Sequence, residues 1–235
     1  MHTLPTAERG ASASAADGSW PRERLGMRRY AQELIGTFFL VLTIGCTDIA
    51  AGPGVIPPLA IGAILMVMVY AGGHISGAHY NPAVTLGVFI RGKCPTADVV
   101  PYMAAQVFGA VAAALLVMFF KTGQAHSPFV AQSTAAALAA EFFFTFALVY
   151  VVLNTATAKA TQGNSYFGLA IGFTVMAGAF AVGDVSGGAF NPAVAAGVTL
   201  MGLVSPTMLW IYLTADFLGG MAAALVFKSL NPGDS

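Results

Sequence analysis

The sequence predicts an all-α membrane protein in which six transmembrane helices and two re-entrant half-helices form two inverted repeats. Three observations support this prediction. The 235-residue chain is 57% hydrophobic and only 9% charged, with a mean hydropathy of +0.76, which lies outside the range of ordinary soluble domains. Six apolar stretches are long enough to cross a bilayer. The phrase Asn-Pro-Ala-Val occurs twice, at 81–84 and 191–194, each time within apolar sequence.

A polar tail precedes the first apolar stretch. Residues 1–27 are rich in Ala, Ser, Gly and charged side chains and show no periodic apolar face, so we expect a disordered cytoplasmic N-terminal tail. The spans that follow are close to the length of about 20 residues that a helix needs to cross a bilayer. We predict them at 28–51, 58–73, 98–120, 134–156, 164–182 and 206–228.

The distribution of Lys and Arg predicts the orientation of these spans. With the N-terminus in the cytoplasm, Lys121 is the only one of the ten Lys and Arg residues that lies outside. The positive-inside rule therefore predicts cytoplasmic N- and C-termini for an integral protein of the plasma (cell inner) membrane. The net charge is zero and the arginines crowd just before the first apolar stretch, a pattern that indicates topology, so we expect no nucleic-acid partner. The predicted cytoplasmic residues are Arg9, Arg22, Arg24, Arg28, Arg29, Arg91, Lys93, Lys159 and Lys228.

Two further apolar stretches, 81–90 and 191–201, are too short to span the membrane. Each begins with Asn-Pro, where Asn can cap the first turn of a helix and Pro gives up an N–H group that would have no partner. Each also follows a glycine-rich loop. Irregular backbone at membrane depth occurs only where protein buries it or a watery cavity receives it. We therefore predict two half-helices that fold inward and line a cavity.

The chain contains an internal duplication. The phrase Glu33-Leu-Ile-Gly-Thr-Phe is similar to Glu141-Phe-Phe-Phe-Thr-Phe, and Leu-Ala-Ile-Gly occurs twice, each time beginning 22 residues before an Asn-Pro-Ala box. We divide the chain into a first repeat, 28–121, and a second repeat, 134–228. Each repeat has three spans, an odd number, so the second repeat must be inverted relative to the first.

Inversion predicts that the two half-helices enter from opposite faces and meet near the midplane. Each helix N-terminus carries the equivalent of roughly half a positive charge, which repels cations. The side-chain amides of Asn81 and Asn191 can donate hydrogen bonds to a neutral molecule that has an acceptor oxygen. This arrangement is typical of a filter for small uncharged solutes with a barrier to protons.

These motifs resemble the aquaporin, or major intrinsic protein, family over about residues 28 to 228. The resemblance rests on the paired boxes, the Ser-Gly-Ala-His-Tyr approach to the first box, the Glu-x-x-x-Thr-Phe phrases and the repeat spacing. It implies a homotetramer in the lipid bilayer, with a pore in every subunit and with Glu33 and Glu141 hydrogen-bonded to the re-entrant loops. It also implies a central constriction formed by Asn81, Pro82, Ala83, Asn191, Pro192 and Ala193.

The sequence departs from the family at a second constriction near the outer mouth. Most members have Arg directly after the second box, whereas this chain has Val194. Counted from the boxes, the resemblance places the other selectivity-filter positions at Ile61, Ala179 and Gly188, none of which has a donor side chain. Val in place of Arg is similar to some plant vacuolar members of broad selectivity. A shift of the fifth span would instead bring Phe180 or Met176 into the pore.

A filter of this composition predicts an opening that is wide and apolar. Small side chains leave more space, and without donors the site cannot compensate a water molecule that has lost its hydration shell. We therefore expect a channel for water, small neutral solutes or both, with ammonia, hydrogen peroxide, urea and glycerol as candidates.

Other polar residues at membrane depth carry further expectations. The resemblance places His79 in the pore lining, with a packed histidine as the alternative, and we expect His74 to brace the loop. Asp184 should lie near the outer mouth. Asp216 lies midway along the sixth span, where a carboxyl is either functional or hydrogen-bonded against a neighbouring helix. Because the four histidines form no ligand set with Cys or carboxylates, we expect no metal and no cofactor.

Three classes of function remain open from the sequence. A passive channel needs only a continuous pore, which paired half-helices supply. A proton-coupled or gated transporter that uses Asp216 is the alternative, although such transporters usually carry a cluster of ionisable groups near the site. A non-conducting structural protein is the third class. An enzyme is disfavoured because no nucleophile, base and oxyanion donors occur together.

Overall fold

The computed structural model describes residues 22–51, 55–124 and 127–234, and this part of the chain is helical with irregular connections. Six of its helices are long and apolar enough to cross a membrane. Two helices of nine residues, α3 and α7, are the half-helices. The α-helices are α1 Arg22–Ala51, α2 Ile56–Ser76, α3 Pro82–Ile90, α4 Thr96–Phe120, α5 Thr134–Val152, α6 Phe167–Ser186, α7 Pro192–Leu200 and α8 Leu209–Leu230.

Several helix ends differ from the sequence prediction; α2 and α6, for example, continue to Ser76 and Ser186, past the predicted ends at 73 and 182. Helix α1 begins at Arg22, so residues 22–27 of the predicted tail are helical; Arg, Glu and Leu at 22–25 are strong helix formers. The rest of that tail, 1–21, lies outside the described residues. Helix α5 ends at Val152 and continues as a wider π-helical turn over Leu153–Thr157. Helix α6 begins at Phe167 because Asn164 accepts a hydrogen bond from the backbone N–H of Tyr166 and holds a turn there.

The two halves of the chain pack in the same way. Helix α1 packs closely on α4 and α5 packs closely on α8, while α2 and α6 join the halves. Glycines allow both close contacts: a Cβ atom on Gly109 would lie 2.4 Å from the carbonyl oxygen of Leu34, and one on Gly219 would lie 2.5 Å from that of Phe142. Any larger residue at these positions would push the helices apart.

Each half-helix lies against the opposite half of the chain. Helix α3 packs mainly on α8, and α7 packs mainly on α4. A Cβ atom on Gly220 of α8 would lie 2.8 Å from the carbonyl oxygen of Ala83 in α3. A Cβ atom on Gly197 of α7 would lie 2.7 Å from the Val41 side chain in α1. The half-helices therefore tie the two repeats into one body.

A buried arginine fastens three segments at the end of α3. The Arg91 side chain is 2% exposed and forms an ion pair of 3.2 Å with Asp234, and it also donates to the carbonyl of Thr157. Its guanidinium lies 4.9 Å from the centre of the Phe227 ring. Asp234 in turn accepts from the backbone N–H of Lys159. One cation thus joins the end of the described chain, the α5–α6 connection and the end of α3.

We expect Asp234→Asn to lower the free energy of unfolding by about 1–3 kcal/mol, because the buried Arg91 charge loses its carboxylate while the shape of the side chain is kept. The measurement is the thermal unfolding midpoint of the purified protein in detergent, followed by intrinsic fluorescence. Asp184→Asn is the matched control, since Asp184 is exposed and forms no ion pair among the described residues. Equal midpoints for the two variants would contradict this assignment.

Candidate functional site

A cavity of about 660 Å³ runs between the helices and past the tips of both half-helices. Asp48 near the end of α1 and Val152 at the end of α5 both line it. Because successive spanning helices alternate in direction, these two residues lie toward opposite sides of the bundle. We call the end lined by Asp48 and Asp184 the outer end, and the end lined by Val152 and Ile171 the inner end.

Asn81 and Asn191 line the middle of this cavity and cap the half-helices. The amide oxygen of Asn81 accepts from the backbone N–H of Ala83 at 2.8 Å, and that of Asn191 accepts from Ala193 at 2.9 Å. Both Asn residues are extended, with φ of −158° and −162°, as capping requires. Pro82, Ala83, Pro192 and Ala193 are buried behind the tips and do not line the cavity.

The two capping side chains also link the halves of the chain. The Asn81 amide nitrogen donates to the carbonyl oxygen of Phe190 at 2.8 Å, and the Asn191 amide nitrogen donates to that of Tyr80 at 2.9 Å. A primary amide has two N–H donors, so each Asn retains a second N–H that no described protein acceptor uses. These two donors are available to a molecule in the cavity.

The loop before α3 is held by a buried carboxylate. The Oε1 atom of Glu33 accepts from the Ser76 hydroxyl at 2.6 Å and from the backbone N–H of His79 at 3.0 Å. Its Oε2 atom accepts from the backbone N–H of Tyr80 at 2.6 Å and from the Gln106 amide at 2.8 Å. Four donors thus compensate a carboxylate that is completely buried.

The loop before α7 is held in the same manner. The Oε1 atom of Glu141 accepts from the Ser186 hydroxyl at 2.6 Å and from the backbone N–H of Ala189 at 3.1 Å. Its Oε2 atom accepts from the backbone N–H of Phe190 at 2.7 Å. Asp216, at the position equivalent to Gln106, lies beside Glu141 in place of an amide side chain. The two loops are held in the same way, except that the side chain beside the glutamate is the amide of Gln106 in the first half and the acid of Asp216 in the second.

Both loops also use left-handed backbone at matching positions. Gly77 and Gly187 end the preceding helices with φ of 86° and 92°, and Tyr80 and Phe190 follow with φ of 50° and 49°. Between them, Gly188 has a φ of 65°. A Cβ atom at Gly188 would meet its nearest neighbours at 3.5 Å, an ordinary contact distance, so the positive φ rather than a lack of space favours glycine there.

The four predicted filter positions all line the cavity. Ile61 and Ala179 come from α2 and α6, Gly188 from the loop before α7, and Val194 from the first turn of α7. None of these residues has a polar side chain. Phe180 lines the cavity as well, next to Ala179, so the lining at this level of α6 includes two neighbouring residues. Met176, the other residue that a shift would bring in, instead packs against Gly62.

The charged groups in the lining lie at the outer end. Asp48 and Asp184 line the cavity, whereas no Lys or Arg among the described residues does so. The sequence reasoning placed Asp184 near the outer mouth but missed Asp48. The duplication gave no signal for it, because the position 108 residues later, the spacing that relates Glu33 to Glu141, is Ala156.

The two histidines before the first box differ in their surroundings. His79 lines the cavity, with its Nδ1 atom 3.1 Å from the Thr85 hydroxyl and its ring 5.1 Å from that of Tyr102. His74 is exposed and its side chain makes no hydrogen bond within the described part of the chain. The expectation that His74 braces the loop is therefore wrong. Ser76 does so instead, because its hydroxyl bonds both Glu33 and the backbone N–H of Ala78.

No three His, Cys, Asp or Glu side chains within residues 22–51, 55–124 and 127–234 come together as a metal site. The polar side chains that line the cavity are those of Asn81, Asn191, His79, Tyr80, Tyr212 and the two outer aspartates. The site can therefore orient and pass a molecule, but it has no reactive constellation.

Comparison with known proteins agrees with this architecture. The sequence pattern of the family described as "Major intrinsic protein" matches residues 27–227. The chain is 35% identical over 216 residues to a probable aquaporin of the NIP type from Nicotiana alata, covering 88% of this chain and 79% of that protein. It is 33% identical over 230 residues to aquaporin Z of Rhodopseudomonas palustris, covering 88% and 95% of the two chains.

Among solved structures, the aquaglyceroporin from Plasmodium falciparum has the same fold. The TM-score is 0.76 at 19% sequence identity, and the match covers 86% of this chain and 96% of that one. The fold, the six apolar spans and the sequence relatives agree with one another. This chain is an integral membrane protein that belongs to the major intrinsic protein family, a family of channels rather than enzymes.

Proposed function

We propose that this protein is a passive channel through which water and small neutral solutes cross the membrane while protons and other cations are held back. The supporting observation is the single cavity that passes the tips of both half-helices and reaches toward both sides of the bundle. Relatives named as aquaporins and a structural neighbour named as an aquaglyceroporin support the same class of permeant.

The barrier to cations lies at the two Asn-Pro-Ala boxes. Two helix N-termini point toward one region of the cavity, and each carries the equivalent of roughly half a positive charge. The free N–H groups of Asn81 and Asn191 add two hydrogen-bond donors and no acceptor, since the amide oxygens are used in capping. A solute with an acceptor oxygen is stabilised there, whereas a cation meets positive potential without a ligand.

The outer filter selects by size and by the cost of desolvation. Ile61, Ala179, Gly188 and Val194 offer no side-chain donor to replace the hydration shell of a permeant. Because these side chains are apolar and none is a long polar group, they leave an opening that admits solutes larger than water. Urea, glycerol, hydrogen peroxide and ammonia are therefore the candidate permeants besides water, and a strict preference for water is disfavoured.

The orientation and assembly follow from charge and family. We infer cytoplasmic N- and C-termini in the plasma (cell inner) membrane, because the Lys and Arg residues concentrate on one side of the predicted spans. Family membership supports a homotetramer in the bilayer with one pore in each subunit.

The transporter alternative has no structural support. Asp216 is completely buried and does not line the cavity, so a solute in the cavity does not contact its carboxyl group. The two aspartates that do line it are both at the outer end rather than at the centre, where coupling groups of transporters usually lie.

We expect Val194→Arg to reduce the flux of urea and glycerol before that of water, because a guanidinium narrows the outer part of the cavity and supplies donors that compensate water. An added barrier of about 1.4 kcal/mol slows passage about tenfold. The measurement is stopped-flow light scattering of proteoliposomes with each solute in turn. Val194→Leu separates added size from added charge. An unchanged ranking of solutes in the Arg variant would place the filter elsewhere.

We expect Asn81→Asp to weaken the cation barrier, because the side chain keeps the oxygen that caps α3 but replaces the amide donor with a negative charge. Sodium uptake into proteoliposomes should rise by roughly tenfold if the barrier falls by about 1.4 kcal/mol. Asn154→Asp is the matched control, since Asn154 does not line the cavity. A sodium-tight Asn81→Asp variant that still passes neutral solutes would show that the barrier lies elsewhere.

A further inference from the structure

Asp216 is an unusual residue for the middle of a spanning helix. Its side chain is completely buried in α8 and does not line the cavity. The Oδ1 atom accepts from the Thr145 hydroxyl at 3.0 Å, but the Oδ2 atom has no ordinary donor. Neither of the two ion pairs among the described residues includes it. A carboxyl that remains buried without a cation needs another explanation.

The equivalent residue in the first half is Gln106. The spacing of 110 residues that separates the two boxes also separates Gln106 from Asp216. The Gln106 amide nitrogen donates to Glu33 at 2.8 Å and to the Thr85 hydroxyl at 2.9 Å. In the second half Ala195 replaces Thr85, so a second acceptor is missing there. The neutral amide that donates to Glu33 in the first half is thus replaced by an acid beside Glu141 in the second half.

An ionised carboxylate accepts hydrogen bonds and cannot donate one. Asp216 occupies the position equivalent to Gln106, whose amide reaches Glu33, so its carboxyl lies beside Glu141, and two like charges side by side inside a protein do not both ionise. Glu141 already accepts from Ser186, Ala189 and Phe190, which favours the charge on Glu141. The proton therefore belongs on Asp216, whose buried Oδ2 atom accepts no hydrogen bond.

We propose that Asp216 is a positioning residue that remains protonated and donates its O–H to Glu141, taking the place that Gln106 has beside Glu33. The Oδ1 atom of Asp216 accepts from the Thr145 hydroxyl. One side chain thus connects Thr145 on α5 with the carboxylate that holds the loop before α7. The acid pair carries one negative charge and fixes the outer half of the pore.

The consequence of losing this donor is local. Gly188 and Ala189 line the cavity and lie in the segment that Glu141 holds, whereas the loop before α3 depends on Glu33 and Gln106. Removing the proton donor from Glu141 should change the outer constriction and leave the Asn81 loop in place. The flux test of this inference rests on the proposed channel function, whereas the spectroscopic test does not.

The experiment compares Asp216→Asn with Asp216→Leu. The Asn side chain keeps an amide donor toward Glu141 and an oxygen toward Thr145, so glycerol and urea flux in proteoliposomes should remain within about twofold of the natural protein. The Leu side chain has no donor, and flux should fall by about tenfold, the effect of losing one hydrogen bond to a charged group. If Asp216→Asn is as impaired as Asp216→Leu, the proposal is overturned.

An infrared measurement tests the proton directly and does not depend on transport. The spectrum of the natural protein minus that of Asp216→Asn should contain the C=O stretching band of a protonated carboxylic acid. A difference spectrum with carboxylate bands alone would overturn the proposal even if both variants conduct. A natural protein that passes no solute but shows the acid band would contradict the proposed channel function and leave the assignment of the proton standing.

Discussion

The structure depends on satisfying backbone N–H groups that have left helical geometry at membrane depth. In the hydrocarbon region such groups have no water to bond, so each must find a partner in the protein. Glu33 and Glu141 supply those partners from helices α1 and α5, and each accepts the two N–H groups directly before an Asn-Pro-Ala box. Because the carboxylates lie behind the loops, the cavity side of each tip stays open. Holding the loops from behind is what allows a short helix to end inside the membrane without closing the passage.

The cross-links between the loops set the spacing of the tips. Each Asn side chain donates to the carbonyl that precedes the opposite box, so neither half-helix can move without breaking a bond to the other. These bonds use half of the donors of each amide and leave the remainder for a permeant. The packing of α3 on α8 and of α7 on α4 adds contacts that join the same two halves. The halves are therefore coupled where the permeant is recognised, and the centre of the cavity is its most constrained part.

The sequence predicted most of the features that repeat between the halves, but it missed one repeated pair and several features that occur once. Two half-helices, six spans and two buried glutamates follow from phrases that appear in both halves. His74 was expected to hold the loop because histidine can form hydrogen bonds. The residues that bond the glutamates are instead Ser76 and Ser186, which occur at matching positions in the two loops. That repeat was available in the sequence. Asp48 has no counterpart, and its contribution to the cavity depends on the path of α1, which no local pattern specifies. The start of α1 at Arg22 was missed because charge suggested a tail where helix propensity was high.

The two halves have the same backbone arrangement, but their side chains differ in polarity. The cavity lining therefore differs between the inner and outer sides of the boxes. On the inner side His79 and Thr85 form a polar pair, whereas the matching positions on the outer side are Ala189 and Ala195. The outer half therefore has apolar side chains at these two positions beside its box, and the acid Asp216 in place of Gln106 behind the loop. In the channel that we propose, a solute entering from the outer end passes two carboxylates and then an apolar stretch before it reaches the Asn tips. In this proposal the largest desolvation cost falls before the boxes, so the outer filter ranks neutral solutes while the boxes exclude cations.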